Sequence, residues 1–372
     1  MELARVELVR LLEIPSPHGE EEAILAYLEE RVGRLGHTPR RIPADGAGWN
    51  LMVAGGDHPT LLYVAHVDTI RPVWAWEPRA RIDGTRISGL GAQDDKAGVA
   101  ALIVTLELLG RSGGLPEHVG LVFTIDEESE GRGSQAVARA LRPRHVVVLE
   151  GTGRAVCTAE AGYVEAWVRF EGRSVHGAFI EEGENAIVKA ARFVTALPTL
   201  DAFTAAPHAL LGPSLPSVEE ITGGGPLFAV PGEAAARVDV RIAPPTTARE
   251  VQGQLEELAA AHGGRVEVIG TAEPFEVSPH SPVVTELRDT IAELEGAPPE
   301  IAGMQSWTDA HNFVEIAGAA AVVYGPGHLR RAHRSDEWVE LSEVTRVAQV
   351  LAELARRTPS LGRPSEVSRK EE

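Results

Sequence analysis

Three short apolar runs, "TLLYVAHVDT", "VGLVFTI" and "HVVVLEG", are separated by segments of helical periodicity, "KAGVAALIVTLELLG" and "GSQAVARAL". Each run is short for a core helix and reads as a strand buried on both faces. Strands of that kind alternating with helices predict an α/β fold, a mixed, mostly parallel sheet flanked by helices. Such a fold restricts where chemistry can sit, because parallel strands present their carboxyl ends along one edge and ligands gather there. "ELARVELVRLL" and "GEEEAILAYLEERVGRLG" add two helices at the N-terminus, the second stopped by Gly36.

From Gly162 the rhythm changes. An alternating strand, "GYVEAWVRFEG", a helix, "ENAIVKAARFVTAL", two strands, "LPSVEEITGG" and "AARVDVRIAP", a helix, "TAREVQGQLEELAAAHG", and a strand, "RVEVIG", compose an α+β domain of four strands and two helices. After "SPHSP" the first pattern returns with a helix, "VVTELRDTIAELEG", and a strand, "AAAVVYGPG". The chain therefore divides into a discontinuous domain, 1–161 with 277–358, and an inserted domain, 162–276. The polar, aperiodic residues 359–372 are predicted to be disordered.

The stretch "FTIDEESEG" places Asp126, Glu127, Glu128 and Glu130 directly after a buried strand. A solvated turn or a helix cap accounts for it locally. The other reading is convergence around cations, since buried like charges otherwise take up protons. Two more buried strands end in metal-binding side chains, His66 in "AHVD" and Glu150 in "VVVLEG", and the loop "GLGAQDDKAG" offers Asp94 and Asp95 ahead of a helix. Taken singly, His66 reads equally as a core or surface histidine and Asp94-Asp95 as an N-cap. On one sheet edge they would converge, and one or two divalent ions would keep the acids ionised. With 54 acidic against 35 basic residues the net charge is −19, which opposes nucleic acid or anionic membrane as a partner. The single cysteine, Cys157, excludes a disulfide framework, and the charged N-terminus lacks a signal peptide, so the expected location is cytoplasmic.

The ordered set "HVDT", "GLGAQDDKAG", "TIDEESEGRG", "LEGT", "VHGAFIEEGENAI", "VDVR", "TDA" and "YGPGHLRRAHRSDEW" resembles the two-zinc peptidase and deacylase family, which includes peptidase T, carboxypeptidase G, aminoacylase, acetylornithine deacetylase and succinyl-diaminopimelate desuccinylase. The resemblance implies that the discontinuous domain is catalytic and the inserted one a lid and dimerisation domain. It implies two divalent ions, zinc first, with cobalt or manganese also compatible. Asp94 would bridge them, His66 and Glu150 would complete one shell, and Glu128 and His333 the other. His333 is taken over His328 because it lies just before the acidic pair Asp336-Glu337. Glu127 would be the general base acting on a water between the ions, and Asp68 would orient His66. A cis peptide between Asp94 and Asp95 is also implied.

In the lid, His176 would donate to the oxyanion and Arg241 would pair with a substrate carboxylate, the alternatives being a packing histidine and a strand-face ion pair. Gly325 and Gly327 would line the substrate pocket, and His311 stands where an arginine often follows "TDA". Phe228 stands where many members have a substrate-contacting asparagine, so substrate identity does not carry over. The activity implied is metal-dependent cleavage of the amide bond of a small N-acyl amino acid, as in acetylornithine deacetylase or the desuccinylase. Alternatives are a di- or tripeptide aminopeptidase like peptidase T, a carboxypeptidase, or a non-catalytic metal-binding homologue. The partners expected are a small-molecule substrate and a second copy of the chain through the lid, with no nucleic acid and no membrane.

Overall fold

The structure, a computed structural model, describes residues 1–357, so the expected disordered tail lies outside the described residues. The described residues pack as two compact units, the first made of Met1–Thr158, Val277–Ala302 and residues 308–357, the second of Ala159–Glu276 and Gly303–Trp307.

The centre of the first unit is a sheet whose four middle strands run parallel in the order Val119–Thr124, Leu61–His66, His145–Gly151 and Ala320–Gly325. All six residues of the first two are buried, as continuous apolar runs demand. Beyond Val119–Thr124 the sheet is extended by the antiparallel pair Gly48–Ala54 and Arg40–Ala44. This pair has no clear period in the sequence, because Pro43 and the polar residues around it obscure the alternation; a proline is tolerated there because the strand is at the edge.

The helix Lys96–Gly110 is apolar around almost its whole circumference, and it is buried between the sheet, the N-terminal helix Glu2–Leu12 and the helix Leu341–Arg357. A separate three-stranded sheet joins Trp338–Glu340 to Arg86–Ser88 and Arg81–Asp83, with Trp338 opposite Ser88. It brings the chain just after His333 alongside the chain just before Asp94.

The second unit is an antiparallel sheet in the order Leu215–Gly224, Glu233–Ile242, Gly162–Glu171, Gly264–Ala272, with the helices Ala186–Ala196 and Ala248–Ala261. Val164, Ala166, Val168 and Phe170 point from one face of the central strand into a core that includes Phe193, Val251 and Leu255. The four-strand, two-helix pattern of the sequence is the pattern of this unit. Among the described residues no helix is long and apolar enough to cross a membrane.

Candidate metal centre

The carboxyl ends of the parallel strands deliver the site. His66 is the last residue of its strand, Glu150 the second-last of its own, and Glu127 and Glu128 follow the strand ending at Thr124. Asp94 enters from the loop before the helix Lys96–Gly110, where the Asp95 side chain caps the helix by accepting the Gly98 N–H at 3.1 Å. The Asp94–Asp95 peptide is cis.

Two ligand groups form around Asp94. The His66 Nε2 lies 3.0 Å from Asp94 Oδ1 and 3.2 Å from Glu150 Oε1, while the His333 Nε2 lies 3.3 Å from Asp94 Oδ2 and 3.0 Å from Glu128 Oε2. The two oxygens of Asp94 thus face different imidazoles. Within each of the groups His66, Asp94, Glu150 and Asp94, Glu128, His333, the candidate ligand atoms all lie within 4.8 Å of one another. A tetrahedral zinc with ligand bonds of about 2.0–2.1 Å separates neighbouring donors by about 3.3 Å. The donor set and its spacing therefore fit two divalent cations sharing one carboxylate.

The tautomer at His66 fits as well. Its Nδ1 is 3.1 Å from the main-chain oxygen of Asp68, which can only accept, so Nδ1 carries a proton, and a ring that gives up the proton on Nε2 would offer that nitrogen's lone pair to a cation. The Asp68 carboxylate is slightly farther, with Oδ1 at 3.5 Å, and its Oδ2 accepts the Glu128 N–H at 2.9 Å. Asp68 thus joins the His66 strand to the turn that carries Glu128. Glu127 belongs to neither ligand group; its Oε2 is 4.0 Å from the His66 Nε2.

Without cations this much buried acid gathers protons. Burial pushes Glu127 well above the usual carboxylate range, with Glu150 and Glu128 adding to the shift against the pull of His66. Burial and the Asp94 charge lift Glu128 to about 7. Burial opposes charge on His66, yet the Glu127 charge and the hydrogen bonds to Asp68, Asp94 and Glu150 hold it well above its ordinary value. Hydrogen bonds to Asp94 and Glu128 raise His333 to about 10. Asp94 alone is lowered, because its bonds to His333 and His66 outweigh its burial. Protonated imidazoles occupy the electrostatic role that cations would take.

The other expected residues are placed as follows. Gly325 ends its strand opposite Gly151, where a Cβ would come within 2.2 Å of the Leu149 oxygen, and Gly327 has φ +81. His328 caps a short helical turn through the Arg330 N–H at 3.3 Å. His311 is 5% exposed and its Nε2 sits 2.7 Å from Glu315, one turn along the same helix. His176 and Arg241 belong to the second unit. The His176 Nδ1 accepts the Ala178 N–H at 3.1 Å, and the half-exposed Arg241 bonds Asp239 at 3.0 Å.

Two buried carboxylates were not assigned from sequence. Asp309 accepts the Thr124 hydroxyl at 2.7 Å, and burial lifts it to about 6. Glu337 accepts backbone N–H groups of the Asp94 loop. Both stand within quoted motifs, "TDA" and "SDEW", but no local pattern distinguishes a buried acid from a surface one.

A sheet edge that brings two candidate ligand groups together around one carboxylate fits a metal-dependent hydrolase. Residues 62–357 match the model of peptidase family M20/M25/M40, and the chain belongs to that family. It is a hydrolase acting on amide or peptide bonds. The chain is 30% identical over 316 residues to an acetylornithine deacetylase of Myxococcus xanthus, covering 80% of each chain. It is 27% identical over 315 residues to a succinyl-diaminopimelate desuccinylase of Wolinella succinogenes, covering 80% of this chain and 84% of that one. Its fold is similar to the crystal structure of a tripeptidase from Staphylococcus aureus, with a TM-score of 0.79 at 19% identity over 96% of this chain and 98% of that one.

Proposed function

We propose that the protein is a deacylase that hydrolyses the amide bond of a small N-acyl amino acid. The observation that carries the reading is Asp94, whose two oxygens face two separate imidazole–carboxylate sets while Glu127 stands beside them outside both. His66, Asp94 and Glu150 would hold one ion and Asp94, Glu128 and His333 the other, with zinc the first choice for this mixed nitrogen and oxygen donor set. Bound cations supply Lewis acidity, polarising the scissile carbonyl and lowering the pKa of water towards about 7.

The rest is the work of side chains. Glu127 takes the proton of the attacking water as the carbon–oxygen bond forms, and returns it to the nitrogen as the carbon–nitrogen bond breaks. Asp68 holds the His66 ring with Nε2 towards Asp94. His176 donates to the oxyanion: its Nδ1 accepts the Ala178 amide, so a neutral ring carries its proton on Nε2, the form this role requires. Arg241, Gly325, Gly327 and His311 are assigned to substrate binding, Arg241 with the best support because its guanidinium is half-exposed. The choice of deacylase over peptidase rests on the relatives named for deacylation. A homodimer through the lid and a cytoplasmic location complete the proposal; the exposed edge strand Leu215–Gly224 supports the first and the lone buried Cys157 the second.

The test uses Zn²⁺-loaded protein with N-acetyl and N-succinyl amino acids set against free dipeptides. Hydrolysis of the blocked substrates is expected, and Glu127→Gln should lower kcat by about 10²–10⁴-fold with two ions still bound. Cleavage restricted to free dipeptides would turn the reading to an aminopeptidase, and undiminished turnover in E127Q would remove Glu127 as the base.

A further inference from the structure

We infer that Glu337 is a positioning residue for the metal pair: its buried carboxylate gathers the backbone of the Asp94 loop and ties it to the segment that carries His333. The inference rests on the metal-centre reading above and assigns a task to a side chain outside both ligand groups.

Glu337 is only 3% exposed. Its Oε1 accepts the N–H groups of Gln93 at 2.8 Å and Asp94 at 3.1 Å, and its Oε2 accepts that of Gly91 at 3.0 Å. Its main-chain oxygen accepts the Gly89 N–H at 3.2 Å. One residue therefore holds four amides of the stretch that ends at the bridging ligand. The next residue, Trp338, pairs with Ser88 and extends the attachment. Four residues earlier stands His333, whose side chain is 53% exposed and whose φ is +58, a conformation few non-glycine residues adopt without outside support. His333 and its neighbours through Asp336 are exposed, so Glu337 is where this segment enters the interior.

A buried carboxylate is costly unless it is well hydrogen-bonded, and here the bonds converge on the one loop whose position both cation sites share. Loss of the anchor frees Asp94 at its backbone and His333 along the chain. The ion between Asp94, Glu128 and His333 therefore suffers most, because two of its three protein ligands are set by Glu337. Glutamine cannot replace it: one oxygen becomes an NH₂ group, which opposes an amide N–H and leaves at most two of the three side-chain bonds. Aspartate keeps the charge but is one methylene too short to span the same donors.

The test titrates metal-free wild type, Glu337→Gln, Glu337→Asp and Glu340→Gln with Zn²⁺ against a chelator of known affinity. Hydrogen exchange of the amides at 89–95 is followed in the metal-free proteins. E340Q is the control, since Glu340 lies three residues on, at the end of the strand that follows Glu337, and its carboxylate bonds Thr85 and Arg86 at the surface. E337Q and E337D should lose about 10–100-fold in affinity for the weaker-held ion, and the amides of Gly91, Gln93 and Asp94 should exchange faster; E340Q should match wild type. A folded E337Q or E337D that takes up two ions with wild-type affinity overturns the inference, and E337D decides if E337Q does not fold. Wild type that binds fewer than two ions overturns the metal-centre reading and this inference with it.

Discussion

Asp94 faces the His66 imidazole with one oxygen at 3.0 Å and the His333 imidazole with the other at 3.3 Å. Two cations bound side by side would repel, and a carboxylate shared between them would offset that repulsion. Asp94→Asn keeps the shape but turns one anionic donor into an NH₂ group that no cation accepts. Elemental analysis of purified D94N should find one ion per chain or fewer, with affinity for the remaining ion down by more than about 100-fold, beyond the effect of losing a hydrogen-bond partner outside the ligand set. Two tightly held ions in D94N would remove Asp94 as the bridge.

At the scale of elements, the strand Leu215–Gly224 stands apart from the rest. It pairs on one side only, with Glu233–Ile242, and nearly all of its residues are exposed. Leu215, Val218 and Ile221 expose apolar side chains at 58%, 37% and 52%, and the helix Ala186–Ala196 adds exposed Ile187 and Val188. A ten-residue edge strand with an unpaired backbone and three exposed apolar side chains is a template for another strand. Pairing with a second copy would cover it. The double substitution Val218→Lys with Ile221→Lys should therefore move the protein from dimer to monomer in analytical ultracentrifugation, with its circular dichroism unchanged. A monomeric wild type would refute the pairing.

Over the whole molecule, charge links metal uptake to pH. In the metal-free protein His66 is raised and His333 is raised to about 10, whereas an unfolded histidine titrates near about 6.5. Cations need both imidazoles neutral, with Nε2 free of its proton, so ions enter as protons leave. Apparent Zn²⁺ affinity should rise with pH, by about tenfold per unit for each proton released, and the calorimetric heat should depend on the buffer's ionisation enthalpy. The sign for stability is the reverse. Raised histidine values stabilise the metal-free fold fully below about pH 6.5, and that contribution is lost as pH rises towards 10. Glu128, raised to about 7, acts in the same direction. The melting temperature of the metal-free protein should fall between pH 6.5 and 10, while that of the loaded protein should not follow it.

Much of this was legible in the sequence because the information is local. Apolar runs of strand length define strands buried on both faces, and His66, the pair Glu127-Glu128 and Glu150 stand where those strands end, while Asp94 stands in a loop ahead of a helix. The hairpin of Arg40–Ala44 and Gly48–Ala54 was not legible, since Pro43 and polar residues hide its period. Nor was Glu337: in sequence it is half of an exposed-looking Asp-Glu pair, and only folding buries one carboxylate against three amides while its neighbour Asp336 stays at the surface. Residue types and strand ends are written along the chain and determine which groups are available. Which oxygen faces which imidazole, which acid stays outside the ligand groups, and what holds the bridging loop depend on contacts between residues far apart in sequence, and those exist only in the packed fold.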